Sequence, residues 1–72
     1  MRDRVATVVH DRYQVVDPVC GLVLTMMHLR QAFQVAQIHA KACSKVEIYD
    51  CMAHSGQPRV WDSEGNIIEV EP

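Results

Sequence analysis

The chain has 72 residues, of which 49% are hydrophobic and 22% are charged, and its formal net charge is −2. This length accommodates a single domain, which we place at residues 1–72, and a folded chain of this size buries only about 60% of the surface exposed by its unfolded form. The mixed composition excludes a fully disordered chain. The slightly negative charge disfavours a nucleic-acid partner, because neutralised phosphates supply most of the affinity in such complexes.

Targeting signals and cysteine usage indicate a cellular compartment. We find no apolar run of signal-peptide or membrane-spanning length in the sequence. The cysteines Cys20, Cys43 and Cys51 are odd in number and contain no Cys-x-x-Cys pair, which is typical of reduced thiols rather than of a small disulfide-bonded secreted domain. These features predict a cytoplasmic protein that does not associate with a membrane.

The amino-terminal part of the chain predicts strands. Val5–Val9 is a weak strand candidate, which either continues through Tyr13 or bends at His10-Asp11. The segment Asp17-Pro18-Val19-Cys20-Gly21 then separates two runs of β-branched and aromatic residues. Asp accepts hydrogen bonds from the backbone ahead of it, Pro presets φ in a turn, and Gly supplies a positive φ at its exit. We predict a β-hairpin with a four-residue loop here.

A helix is predicted to follow the first hairpin. The segment from about Met26 to Cys43 contains no glycine or proline and is rich in residues that favour a helix. Thr25 is the predicted N-cap, because its hydroxyl can accept a hydrogen bond from a free backbone N–H of the first turn. We expect the helix to end at Ser44-Lys45. At about 100° per residue, one apolar stripe runs along it, comprising Leu29, Ala32, Phe33, Ala36, Ala40 and Cys43.

The apolar surface of this helix is wider than contact with one sheet requires. Val35, Ile38 and Ala42 lie outside the main stripe, so the helix either sits deep in a curved sheet or presents a second apolar strip to a partner. In the second case, we predict these three residues as the interface, with His28 and His39 at its margin. The candidate strand Val5–Val9 is a second place where a partner could add to the sheet.

The carboxy-terminal part of the chain predicts a further strand and a second hairpin. Lys45–Met52 alternates so that Val46 and Ile48 share one face, and a loop at residues 54–58 ends this strand. The turn Asp62-Ser63-Glu64-Gly65 lies between two further strand candidates, and its glycine stands where a type I turn with a bulge needs a left-handed residue. The predicted order is β-hairpin, helix, strand, β-hairpin. This order predicts an α+β fold of two layers, with one helix packed on one face of a mostly antiparallel sheet.

Charge is unevenly distributed along the chain. Through Lys45 there are six basic and three acidic residues, whereas from Val46 onward there is one basic residue and there are six acidic ones. Such asymmetry can steer association, including self-association. Alternatively, the two segments lie side by side in one fold and neutralise each other.

A zinc site is the sharpest chemical alternative. His39, Cys43, Cys51 and His54 follow the spacing H-x3-C-x7-C-x2-H, and two sulfurs with two imidazoles are a ligand set that zinc accepts in tetrahedral geometry. The predicted strand between Cys43 and Cys51 spans roughly 20 Å and separates the two halves of this set. The competing interpretation is that the cysteines belong to the core and the histidines lie at the surface.

Other functions have weaker support in the sequence. The chain contains no Gly-rich phosphate loop and no nucleophile or zinc-protease motif, so we predict no enzymatic activity and no cofactor. Tyr13 and Tyr49 could stack on RNA bases from a sheet, or pack within the fold. We therefore predict a small protein-interaction module that forms a homodimer or binds another protein. Structural zinc binding is the first alternative and weak nucleic-acid binding is the second.

Overall fold

The computed structural model describes residues 11–42 and 45–72. Its elements are, in chain order, β1 (Tyr13–Asp17), β2 (Leu22–Met26), α1 (Leu29–Ala40), β3 (Glu47–Asp50), β4 (Pro58–Asp62) and β5 (Ile67–Val70). The strands form one antiparallel sheet in the order β2-β1-β3-β4-β5. The helix packs on one face of it, over β1, β2 and β3. The predicted α+β class is confirmed, and the predicted strand at Val5–Val9 lies outside the described residues.

The first hairpin forms where its turn residues predict it. Asp17 and Leu22 close the loop as a cross-strand pair. The Asp17 side chain accepts hydrogen bonds from the backbone N–H groups of Val19 and Cys20, each at 3.1 Å. Gly21 has a φ of 72° and donates its N–H to the Asp17 carbonyl at 2.8 Å. Each turn residue thus plays the part that its chemistry predicts.

The second hairpin is organised in a similar way by Asp62. One oxygen of its carboxylate accepts the backbone N–H groups of Glu64 and Asn66, and the other accepts the side-chain amide of Asn66. These bonds, chiefly those from Asn66, lower the pKa of Asp62 below its ordinary value. The pairing of β4 with β5 shifts register between Pro58 and Val60 and again between Val60 and Trp61. Such irregularities bend and twist the strands. The sequence of this turn also predicts a bulge.

Gly65→Ala tests the backbone of this turn. Gly65 has a φ of 91°, so alanine should lower the free energy of unfolding by about 1–2 kcal/mol through backbone strain alone. The space for a Cβ is open, since the nearest atom is Phe33 Cε1 at 4.0 Å. Urea unfolding measures the effect, with Ser63→Ala in the same turn as the control. An equal stability of the two variants would show that the turn does not need a left-handed residue.

The core lies between α1 and the sheet face that it covers. Ala32 and Ala36 are 0% exposed, and their small side chains allow the helix backbone to approach the strands closely. Beneath them runs a cross-strand row of Leu24, Val15, Ile48 and Trp61, one from each of the strands β2, β1, β3 and β4. Phe33 packs edge-on against Trp61, with ring centroids 6.1 Å apart. Val46 and Ile48, predicted to share one face, are both buried, at 2% and 0% exposure.

The helix begins later than its sequence pattern predicts. Thr25 and Met26 belong to β2, where Met26 pairs with Tyr13 and is buried. The Thr25 hydroxyl donates to Asp11 at 2.9 Å, so the prediction of Thr25 as N-cap is wrong. His28 occupies the N-cap without a side-chain hydrogen bond. All five residues of β2 pair with β1, so the strand includes residues predicted to begin the helix. A buried methionine is compatible with a strand and with a helix, so the sequence does not distinguish the two.

Candidate functional site

Large apolar side chains remain exposed on several described elements. Ile38 on α1 is 66% exposed, and three of the four residues of β5 are also exposed and apolar. The remaining ones are scattered over loops and over the sheet face opposite α1, at Val19, Val23, Met27 and Met52. Clustered exposed apolar groups mark interaction surfaces more often than isolated ones do. Such groups are found on two surfaces, which are one side of α1 and β5.

The first surface is the helix flank, which we define as Val35, Ile38 and Ala42. Val35 is partly buried against the core, whereas Ile38 and Ala42 are exposed. Phe33 contacts Trp61 of β4, and Ile38 lies about 140° around the helix from Phe33. The flank is consequently turned away from β4 and β5. Of the three predicted interface residues, Val35 is divided between core and surface, and Ile38 is the most prominent.

The two histidines predicted at the margin lie at opposite ends of α1. His28 is exposed at the N-cap, and His39 is half-buried in the last turn. Eleven residues of helix place them about 16 Å apart. They therefore bracket the helix flank, one at each end, and one ion cannot bind both within a single chain.

The second surface is the β5 edge, which we define as Ile67–Val70. All four residues are exposed, and among residues 11–42 and 45–72 the strand is paired on one side only, with β4. Glu71 donates its N–H to the Gln57 carbonyl and accepts the N–H of Gly56. Because backbone groups alternate in direction along a strand, Val70 directs its own N–H and C=O toward the open side. The sequence analysis missed this edge, although two consecutive isoleucines in a terminal strand were a usable signal.

The surroundings of the β5 edge are acidic. Arg59 pairs with two of the acids there, with Nη2 at 2.5 Å from Glu69 and Nε at 3.6 Å from Glu71. Across residues 45–72 there are two basic residues and six acidic ones, the carboxy-terminal excess seen in the sequence. A cavity of about 340 Å³ opens beside Ile68, bordered by Lys45, Glu47, Asp62 and Glu64. The β5 side of the molecule therefore carries negative charge that Lys45 and Arg59 only partly balance.

The four predicted zinc ligands are not brought together among the described residues. His39 lies in α1, which precedes β3 in the chain, whereas Cys51 and His54 follow the end of β3 and are exposed. The four residues of that strand span about 13 Å. Cys43 lies outside the described residues. Within residues 11–42 and 45–72, no three His, Cys, Asp or Glu side chains form a group that could hold a metal ion.

Asp50 and Cys51 have structural surroundings rather than those of a catalytic pair. The Asp50 carboxylate accepts two hydrogen bonds from Arg12, at 2.8 and 2.9 Å, and a third from the Met52 N–H at 2.9 Å. Although Cys51 is exposed, partial desolvation of its thiol, reinforced by the charge of Asp50, raises the pKa of that thiol. A raised pKa keeps the thiol protonated at neutral pH, whereas a nucleophilic cysteine needs a lowered one.

Tyr13 and Tyr49 lie on opposite faces of the sheet, because their cross-strand partners are Asp50 and Gln14 respectively. Tyr13 packs edge-on against Trp61 at 6.4 Å on the helix side. The Tyr49 hydroxyl donates to Glu47 at 2.8 Å, and this bond raises the pKa of Tyr49. The two rings therefore cannot form one stacking surface for RNA bases.

Comparison of the chain with protein-family models, curated proteins and solved structures finds no match. Among the described residues, no helix has the length and apolar character needed to cross a membrane. Function is therefore inferred from the helix flank and the β5 edge themselves.

Proposed function

We propose that the chain is a non-enzymatic protein-interaction module that forms a homodimer through the helix flank. The observation that carries this proposal is Ile38, which is 66% exposed in the last turn of a helix whose opposite side is packed on the sheet. Fully burying an isoleucine side chain contributes about 1.5–3 kcal/mol relative to leaving it exposed. A dimer buries two copies of it, together with Ala42 and the exposed part of Val35.

The shape of the flank suits pairing across a two-fold axis. A symmetric dimer uses the same patch on both copies, and a single apolar strip along one helix is self-complementary when two helices run antiparallel. In such a pair, the amino-terminal end of one α1 approaches the carboxy-terminal end of the other. His28 and His39, at these ends, then flank the apolar contact on both sides.

Ile38→Glu is the variant that tests this interface. A buried carboxylate in place of isoleucine should raise the dimer dissociation constant at least about tenfold. Sedimentation equilibrium from low to high micromolar concentration measures it. Gln37→Glu is the matched control, since it adds the same charge to the exposed surface of α1 on another side of the helix, about 100° away.

Two results would contradict the proposal. The first is an unmodified protein that sediments as a monomer throughout this concentration range. The second is a dimer that Ile38→Glu and Gln37→Glu weaken equally, because the helix flank would then have no special place in it. Circular dichroism of both variants establishes that the fold is retained, as expected for substitutions at exposed positions.

A further inference from the structure

We propose that the β5 edge binds a second polypeptide as an added strand, and that the segment it accepts is extended and basic, with lysine or arginine alternating with apolar residues. This extends the proposed interaction function to a second surface, which lies on the other side of the molecule from the helix flank. Strand addition uses backbone hydrogen bonds for affinity and side-chain neighbours for specificity. The backbone, the apolar side chains and the charges of this edge each support the proposal.

The backbone of β5 has groups that point away from β4 and that no described strand pairs with. The bonds between Glu71 and the segment Gly56-Gln57 fix the inward side of the strand. Val70 therefore offers a donor and an acceptor to an incoming strand. The register shifts of β5 lie in its pairing with β4, on the side opposite to the one offered to a partner.

The side chains of β5 are unusual for an unprotected edge. Ile67, Ile68 and Val70 are 55%, 52% and 47% exposed. Proteins commonly protect such edges with charged side chains, a proline or a β-bulge. The sequence of β5 contains neither lysine nor proline, so its protection is limited to Glu69 and to the register shifts in its pairing with β4. The exposed apolar side chains of this edge can contact the apolar side chains that a partner strand carries at every second position.

Charge decides between a second copy of this chain and a basic partner. Glu69 and Glu71 share one base, Arg59, so pairing two β5 strands would bring four carboxylates and two guanidinium groups together. Like charges on adjacent strands destabilise pairing. A partner with lysine or arginine instead gains from the local excess of acid. The cavity beside Ile68, at about 340 Å³, is bordered by three acidic residues, Glu47, Asp62 and Glu64, and by one basic residue, Lys45. This acidic excess suits a long basic side chain.

Synthetic peptides probe the edge directly. The probe is an extended peptide of alternating lysine and valine, and its matched control replaces each lysine with glutamate. Nuclear magnetic resonance titration of the full chain should show amide shifts at residues 67–71 and around the cavity for the lysine peptide. We expect the lysine peptide to bind at least about tenfold more tightly than the glutamate peptide, with an affinity that falls as salt is added.

A pair of substitutions at Val70 separates strand addition from simple charge attraction. Val70→Pro removes the outward N–H while keeping the inward bonds of Glu71, so it should weaken binding of the lysine peptide at least about tenfold. Val70→Thr keeps the N–H and should change binding less than about twofold. The dispersion of amide resonances and the melting temperature report whether each variant remains folded.

Three results would overturn this inference. They are equal binding of both peptides, binding that Val70→Pro does not weaken relative to Val70→Thr, and a homodimer that Val70→Pro dissociates. In the last case a second copy, not a basic peptide, occupies the edge. Ile38→Glu should leave peptide binding unchanged. The experiments therefore distinguish a wrong proposal for the helix flank from a wrong proposal for the β5 edge.

Discussion

Ile48→Ala should lower the free energy of unfolding by about 3–4 kcal/mol, the largest loss that we expect from a single substitution in this chain. Ile48 is 0% exposed and lies between Val15 and Trp61 in the cross-strand row beneath α1. A chain of this length has a total stability of only about 4–11 kcal/mol. The melting temperature should therefore fall by roughly 12–30 °C, because each kcal/mol shifts it by about 4–8 °C in a domain of this size.

Ile68→Ala is the matched control for this prediction. It deletes the same atoms from a side chain that is 52% exposed, so we expect a loss of less than about 1 kcal/mol. Thermal and urea unfolding of both variants, followed by circular dichroism, give the comparison. Similar losses for Ile48→Ala and Ile68→Ala would contradict the position of the core beneath α1.

Asp50→Ala should produce the second large loss, about 2–3 kcal/mol at neutral pH. The Asp50 side chain is 4% exposed and joins β3 to the chain that enters β1 through its two bonds with Arg12. Its removal also leaves the Met52 N–H without this acceptor. Hydrogen bonds to charged groups are stronger than neutral ones, and the partly buried donors that lose their partner add to the loss.

The pH dependence of this loss identifies its electrostatic part. Burial alone would raise the pKa of Asp50, but the hydrogen bonds from Arg12 and Met52 outweigh it, and the pKa lies below its ordinary value. The folded state therefore gains stability above the unfolded pKa of about 3.9 and loses it as the pH falls through the folded pKa. The unfolding free energies of wild type and Asp50→Ala should converge between about pH 5 and pH 2.

Urea unfolding at a series of pH values measures this convergence. Asp62 also has a lowered pKa, but it is present in both proteins and cancels in the difference. Glu64→Ala, at an exposed carboxylate, serves as the control and should change stability by less than about 0.5 kcal/mol at neutral pH. A difference between wild type and Asp50→Ala that stays constant with pH would assign the loss to packing instead of to the ionised carboxylate.

Local chemistry made the two hairpins predictable from the sequence. In each, an aspartate accepts turn N–H groups and a glycine three or four residues later adopts a positive φ, and all of these residues are neighbours in the chain. The start of α1 was not predictable in this way, because Thr25 and Met26 fit a strand or a helix equally well. Pairing with β1, which is a tertiary interaction, decides for the strand.

The candidate surfaces depended on information that periodicity does not contain. The helical pattern identified Val35, Ile38 and Ala42 as surplus apolar residues, but only the packing of Phe33 on Trp61 shows which way the helix flank is turned. The exposure of Ile67 and Ile68 follows from the strand order, which puts β5 at the end of the sheet. Strand order is set by pairing between distant segments, above all that of β1 with β3.

The pairing of β1 with β3 affects how the chain folds. Within the described residues, β1 pairs with β2 and β3 pairs with β4, which pairs with β5, so each of these contacts joins consecutive strands. Only β1 with β3 closes a long loop, which contains the whole of α1. Local pairings form quickly, whereas closing a long loop has an entropic cost before its contacts form. We therefore expect the pairing of β1 with β3, at Val15 and Ile48, to limit the rate of folding.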